Sequence, residues 1–416
     1  METESLCQFY SEIVGVTAPW KVTAVDIQDF RRKVTIRIEH NKERIIACPI
    51  CADRTTYYDE RVRVLRYLDT CQYETFLEVH VPRIKCKKDG VQQIDIPFAE
   101  KHSRFTTRFE MAVLMWLDSS PISKVAKNMN ISWDEVDGIL QRAVKRGLNR
   151  RKRIVVRNLG IDETSYRKRH QYVTILYDKD RKCILDVLYD HTAETLGEWF
   201  KSQKHCDLSQ LNSISMDMWD PYIKAVKDNI PGWERLVCFD RFHIAKHFNE
   251  AVDTVRRREH TDLLKCYGES PLTKSRYQWL INSEKTDNRK GKRKDFLSLS
   301  RRNLETARAW RIKEQAATLW EYMYMNVAES AWRKLLRWIS QCRIPEMMKV
   351  GQMIRNYFWG ILNTIRLKMS NGVVEATNNR IQYIKRLACG FRNRDRFKAV
   401  ILFHYGYLNM SFSPTF

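Results

Sequence analysis

Residues 154–162 read IVVRNLGID, 171–178 QYVTILYD and 182–190 KCILDVLYD; LNSISMDM follows at 211–218 and ERLVCFD at 234–240. Each is a short run rich in apolar residues with an aspartate at or near its end, which suits a strand buried in a sheet. Helical periods separate the later runs: TAETLGEWFKSQ from Thr192, PYIKAVKDN from Pro221, and RFHIAKHFNEAVDTVRR after Asp240. The pattern predicts three strands, then alternating helix and strand, the order that an RNase H-like mixed sheet requires.

Outward from this block, residues 250–369 read as almost entirely helical, with a polar basic break at KTDNRKGKRKDF (285–296), and a late helix opens at Asn371-Gly372. On the amino-terminal side, VTIRIEH (34–40) and TFLEVHVPRIKC (75–86) alternate apolar and polar residues, so a small β-rich module is expected up to about Val91. Between Phe105 and about Gly147 the period becomes helical, with Pro121 and Ser132 where helices would start. The run KRGLNRRKR, Lys145 to Arg153, reads as a basic linker. The expected architecture is multidomain, mixing α+β and α/β. It has a zinc-ribbon-like module over 1–104, a helix-turn-helix with the linker over 105–153, and an RNase H-like catalytic domain over 154–416 with a helical insertion at about 250–369.

The 73 Lys and Arg outnumber the 50 Asp and Glu, a net charge of +23 that favours a polyanionic partner, because each phosphate neutralised releases condensed counterions. No segment approaches eighteen uninterrupted apolar residues, and METESLCQFY lacks a signal peptide, so the expected setting is intracellular and away from the membrane. Eleven scattered cysteines argue against a disulfide framework.

Two acids end predicted strands, Asp162 in LGIDE and Asp217 in ISMDMWDPY, and Glu375 stands early on the late helix. Hard divalent cations prefer carboxylate oxygens, and such a set can hold two metal ions for an in-line displacement at phosphorus. Singly, each is more often a solvated or paired acid; the set carries the signal. Asp240 competes for the second position, with capping of the following helix or pairing with Arg241 as the plainer account. His243 has the same standing. Glu163 is expected to point away along its strand. Residues 375, 379, 382 and 386 share a helix face by spacing, so Asn379 and Arg386 can stand near Glu375 and touch substrate phosphate, or face solvent.

Cys48 and Cys51 form a CxxC, with Cys86 further on, a pattern that suits a structural zinc ribbon. The fourth ligand is open: Asp89, Cys71 and His80 are candidates, and a degenerate ribbon without metal is the alternative. In ISKVAKNMNISWDEVDGILQRAVKR, Val125 and Ala126, a turn at Asn130, and Val136, Ile139 and Leu140 lay out a helix-turn-helix. Asp134, Glu135 and Asp137 are expected on the exposed face of its second helix, which argues against close phosphate contact at its start, and a pair that only packs is the alternative. Phosphate contact is expected from the basic run, namely Lys145, Arg146, Arg150, Arg151, Lys152 and Arg153. Tyr277, Trp279, Trp310, Trp320, Tyr322, Tyr324, Trp332 and Trp338 lie among Lys and Arg in the helical region; such aromatics stack on unpaired bases or fill a helical core.

The strings GIDETSY, MDMWDPY, CFDRFHIAKHFNEAVDTVRR and VVEATNNRIQYIKRLACGFRN, with CPIC, LRYLDTCQYET, VPRIKC and SRFTTRFE before them, resemble insertion-sequence transposases of the ISL-three family over most of the chain. The resemblance implies a DDE transposase with Asp162, Asp217 and Glu375 as the triad and magnesium or manganese as cofactor. It implies action on double-stranded DNA, both the element's terminal inverted repeats and a target, in a homodimer or larger synaptic assembly. The setting it implies is the bacterial cytoplasm, at the nucleoid. Where family members place a Cys or His after the third cysteine, this chain has Lys88 or Asp89. An inert DNA-binding regulator and a nuclease without strand transfer are the competing functions.

Overall fold

The computed structural model of the chain describes residues 3–41, 46–167, 171–202, 205–281, 292–369 and 372–412. Asn371 and residues 285–291 of the expected basic break lie outside the described residues. The chain packs as two compact units, Met1–Arg150 with Leu408–Phe416, and Arg151–Tyr407.

The first unit opens with a helix, α1 (Thr3–Val14), where strands alone were expected. Leu6, Tyr10 and Val14 recur every fourth residue, a helical spacing, and Tyr10 and Val14 are buried. Strands β1 (Trp20–Gln28), β2 (Lys33–His40), β3 (Ile46–Ala47), β4 (Arg54–Arg66), β5 (Glu74–Cys86) and β6 (Gly90–Gln93) form one sheet in the order β1-β2-β5-β4-β3, with β6 on β5. The two alternating runs fall in β2 and β5, which pair in parallel. Their every-second residues Val34, Ile36, Ile38 and Leu77, Val79, Val81 fill the core, as a two-residue period dictates.

Helices α2 (Thr107–Ser119), α3 (Ile122–Asn128) and α4 (Trp133–Asn149) follow. Ser132 caps α4 in a capping box with Glu135, satisfying backbone donors that the first turn leaves open. Asn130 takes the left-handed turn at φ +50°. Val125, Ala126, Val136, Ile139 and Leu140 are all buried, as the helix-turn-helix layout requires. Asp137 is buried too, contrary to its expected exposure, because the covered arc of α4 is wide and runs from Val136 to Gly147. Glu135 is committed to the capping box and to Arg104 at 3.1 Å.

The basic run is no free linker. Helix α4 reaches Asn149, and Leu408–Phe412 lies along it as part of the same unit, although it follows the last helix of the chain. A Cβ built on Gly147 would stand 2.7 Å from Leu408 Cβ, Arg146 Nε donates to the Met410 carbonyl at 3.0 Å, and the Arg146 guanidinium lies 3.9 Å from the Phe412 ring centre. Arg150 donates to the Ser411 carbonyl. An undivided unit from 154 to 416 therefore gives way to one that ends at Tyr407.

In the second unit, β8 (Asn158–Arg167), β9 (Gln171–Asp178), β10 (Cys183–Leu188), β12 (Ser213–Met216) and β13 (Val237–Phe239) form a sheet in the order β10-β9-β8-β12-β13. The first three are antiparallel; β12 runs parallel to β8, and β13 to β12. Short strands β7 (Ile154–Val155) and β11 (Cys206–Asp207) pair beside it. Helices α5 (Ala193–Ser202) and α6 (Asp220–Asn229) fill the expected connections. ERLVCFD is strand only in its second half, since Gly232 at φ +70° starts a helical turn, α7 (Trp233–Leu236).

After β13 every regular element among the described residues is helical: α8 (Arg241–Tyr267), α9 (Arg276–Leu280), α10 (Lys292–Ser300), α11 (Glu305–Thr318), a single 3-10 turn, α12 (Met325–Gln341), α13 (Pro345–Asn356), α14 (Phe358–Arg366), α15 (Gly372–Leu387) and α16 (Arg394–Tyr405). Helix α14 closes the open edge of β13. Asn363 Nδ2 donates to the Val237 carbonyl at 2.8 Å and Thr364 Oγ1 to the Phe239 carbonyl at 2.8 Å, so the edge acceptors are satisfied without another strand. Trp279, Trp310 and Trp332 are core residues, while Tyr277, Tyr322, Tyr324 and Trp338 are exposed and Trp320 is partly covered. No helix among the described residues is long and apolar enough to cross a membrane.

Candidate active site and metal centres

Parallel register builds the acidic site. Ser215 of β12 pairs with Gly160 of β8, so two residues on, Asp217 stands at the level of Asp162. Met216 pairs with Phe239 of β13, which sets Asp240 level with Asp217. Asp162 is not at a strand end as expected: β8 continues to Arg167 because it still pairs with β9, and only its pairing with β12 stops before Asp162.

Helix α8 starts directly after β13 and delivers His243, whose Nε2 lies 2.9 Å from Asp217 Oδ1. Ligand atoms of Asp162, Asp217 and His243 all lie within 4.8 Å of one another. Asp240 caps α8, accepting from the Phe242 amide at 2.9 Å. Glu163, expected to point away, is half-buried and feels the charge of Asp217; burial first, then that charge, raises its pKa.

The cluster crowds acidic groups together, with His243 bonded to one of them. Burial, and then the charge of Asp217, pushes the Asp162 carboxyl up to about 7. Burial pulls the His243 imidazole down, but the hydrogen bond and charge of Asp217, with the charges of Asp240 and Asp162, outweigh it and hold its pKa above the ordinary value. Two carboxylates and an imidazole brought together where the parallel pairing of β8 and β12 stops form a donor set that suits a hard divalent cation.

Glu375 is not in this cluster. It lies exposed on the first turn of α15, one turn before Asn378, whose Nδ2 donates to Asp162 Oδ2 at 2.5 Å. Further along, Gln382 donates to Thr164 Oγ1 at 2.5 Å and Lys385 to the Ser165 carbonyl at 2.5 Å. The face of α15 toward β8 is thus Asn378, Ile381, Gln382 and Lys385, while Asn379 and Arg386 are exposed. Sequence reading passed over Asn378; its place three residues after Glu375 on a helix was the available signal.

In the first unit, Cys48, Cys51, Cys86 and Asp89 bring four ligand atoms within 4.8 Å of one another. Cys48 Sγ and Cys86 Sγ lie 3.3 and 3.4 Å from Asp89 Oδ2, and Cys51 Sγ is 3.5 Å from Cys86 Sγ, with the three cysteines free of disulfides. Hydrogen bonding to Asp89, more than to Cys86 or Cys48, pushes the Cys51 thiol up to about 12. Three thiols and a carboxylate crowded in this way match the donor number and chemistry of a structural zinc site. Cys71 is exposed elsewhere, and His80 sits between Glu60 and Glu78 on the sheet.

Among the basic candidates, Lys145, Lys152 and Arg153 are exposed, and so is Arg150 with its bond to the Ser411 carbonyl. Arg146 is nearly covered and paired with Glu100. Arg151 donates to the carbonyls of Leu185, Ile184 and Gly406 at 2.6–2.8 Å.

Comparison with known families places three matches along this architecture. A profile described as zinc-finger of transposase IS204/IS1001/IS1096/IS1165 matches residues 44–89, and one for the helix-turn-helix domain of transposase family ISL3 matches 94–144. A third, described as transposase, matches 159–401. The chain is 26% identical over 389 residues to the transposase for insertion sequence element IS1557 of Mycobacterium tuberculosis, covering 87% of this chain and 86% of the relative. It is 25% identical over 359 residues to the transposase for IS1001 of Bordetella parapertussis, covering 85% and 87%. With the transposase profile spanning more than half of its length, and the ribbon and helix-turn-helix profiles falling on the two modules before it, the chain belongs to the ISL3 (ISL-three) family of insertion-sequence transposases.

Proposed function

We propose that the chain binds the terminal inverted repeats of its own insertion sequence and carries out cleavage and strand transfer there, as an RNase H-like DDE enzyme with Asp162, Asp217 and Glu375 as its acids. The observation that carries this reading is the level placement of Asp162 and Asp217 on adjacent parallel strands. Sheet order β10-β9-β8-β12-β13, three antiparallel strands followed by two parallel ones, supports the RNase H-like assignment, and the helices between β13 and α15 are read as the insertion.

Asp162 and Asp217 would hold magnesium or manganese, with Glu375 on the first turn of α15 assigned as the third acid. Divalent metal bound there supplies a lowered pKa for the attacking water or hydroxyl and neutralises charge at the leaving oxygen. His243 holds its proton toward Asp217 and so fixes one oxygen of that carboxylate. Zinc on Cys48, Cys51, Cys86 and Asp89 is structural in this reading. Lys145, Arg150, Lys152 and Arg153 are assigned to DNA phosphates, and so is Arg386 of α15; Arg146 and Arg151 serve the fold. Two DNA ends call for two or more protomers.

The test is cleavage and joining of labelled duplexes that carry the element's terminal repeats, with magnesium or manganese, for the wild type, Asp217→Ala and Glu375→Ala. Nicking and joining by the wild type alone, with all three proteins binding the ends, is the expected result. Binding by the wild type without cleavage under either metal would replace this reading with that of an inert DNA-binding regulator.

A further inference from the structure

Both oxygens of Asp162 are held by hydrogen-bond donors. Oδ1 accepts from the Glu163 amide at 2.7 Å, and Oδ2 accepts from Asn378 Nδ2 at 2.5 Å. Asn378 is itself clamped, because its Oδ1 accepts from the Tyr177 hydroxyl at 2.5 Å. Tyr177 belongs to β9, is almost wholly buried, and is kept protonated by burial and by the charge of Asp162. A protonated phenol can donate here, so the Asn378 amide must turn its oxygen to Tyr177 and its NH2 to Asp162.

We infer that Asn378 and Tyr177 are positioning residues: together they fix the rotation of the Asp162 carboxylate toward Asp217 and pin the first turns of α15, the helix that carries Glu375, to strand β8. The inference rests on the reading of Asp162 as a ligand of the divalent metal. Geometry gives it force. Among the described residues, Asn378, Gln382 and Lys385 of α15 all bond to β8 around the buried Ile381, so directional polar contacts fix the register that this packing alone leaves open. Groups of this kind, bonded to a metal ligand rather than to the metal, typically change metal affinity ten- to a hundredfold when removed.

The experiment uses the full chain, without DNA, in three forms: wild type, Asn378→Ala and Tyr177→Phe, with Asp162→Asn as the control that marks the site. Manganese binding is measured by calorimetry and amide exchange is followed over residues 376–387, with thermal unfolding to verify that each variant is folded. Asn378→Ala is expected to weaken manganese binding roughly tenfold and speed exchange in α15, and Tyr177→Phe to do the same more weakly, on the order of threefold. In the cleavage assay, raised manganese should restore the Asn378→Ala rate while its affinity for the terminal repeats stays unchanged. Wild-type manganese affinity and wild-type exchange in both variants would overturn the inference, as would manganese binding that Asp162→Asn leaves intact. If the variants weaken manganese binding as expected yet the wild type never cuts DNA, the positioning role stands and the transposition reading falls.

Discussion

Asp217 leaves strand β12 at the level of Asp162 on strand β8 because Ser215 pairs with Gly160 two residues earlier. The strands thus bury Asp162 and set it beside a second carboxylate, and burial first, then the charge of Asp217, raises the Asp162 pKa. Asp162→Asn is therefore expected to raise the thermal stability of the metal-free protein, by on the order of 1 kcal/mol. Manganese should stabilise the wild type through its preferential binding to the native state, and stabilise this variant far less. Differential scanning calorimetry with and without manganese checks both; a variant less stable than the metal-free wild type would count against the charge argument.

Zinc should be present at one ion per chain, measured by elemental analysis after dialysis. Removing it with a chelator, or substituting Cys86→Ser, should unfold the 46–93 end of the first sheet, because the binding free energy of a structural metal is part of the folding free energy of the module that holds it. Asp89→Ala should weaken zinc retention and Asp89→Cys restore or exceed it, thiolate being the better structural ligand.

Gly360→Ala should be costly. A Cβ there would stand 2.3 Å from Phe239 Cε2, and Phe239 is the buried last residue of β13, immediately before Asp240. Overpacking of this kind costs about 1–3 kcal/mol. Chemical denaturation of the variant, with Ile361→Val as a mild control in the same helix, measures it.

Deleting residues 408–416 should loosen the helix-turn-helix unit, since Leu408 and Met410 cover Gly147 and the carbonyls of Met410 and Ser411 accept from Arg146 and Arg150. The expected readout is faster amide exchange in α4 and weaker binding to the terminal repeats, with the Arg151–Tyr407 unit unchanged.

Glu110 supplies a pH test. Burial raises its pKa, against the opposing pull of Arg142 and Ser103, so the folded state binds the proton more tightly than the unfolded state does. Its contribution is therefore most favourable below the unfolded value and is lost as pH rises through the raised folded value. Relative to Glu110→Gln, the wild type should gain stability as pH falls through that window; urea titrations of both proteins at several pH values would reveal the opposite slope if the reading were wrong.

Much of this protein was legible in its residues. Apolar periods located β2 and β5, the three antiparallel strands, and helices α3 and α4, because a strand or helix that buries one face must repeat its apolar residues at the period of its own geometry. Asp162 and Asp217 stood out since each closes such a run, and Cys48, Cys51 and Cys86 since their spacing fits two adjoining turns. What local pattern cannot hold is register and long-range company. Sequence left Asp89 one of several fourth ligands; antiparallel pairing of β5 with β6 turns the chain back at Gly90 and sets Asp89 beside the thiols. It left His243 open between a part in the site and an ordinary helix histidine, until the start of α8 beside β12 put it on Asp217. Spacing could place Asn378 on the helix of Glu375, but its partner Asp162, like the Gly147 that Leu408 covers, lies more than two hundred residues away in the chain, and only tertiary packing decides which distant groups meet.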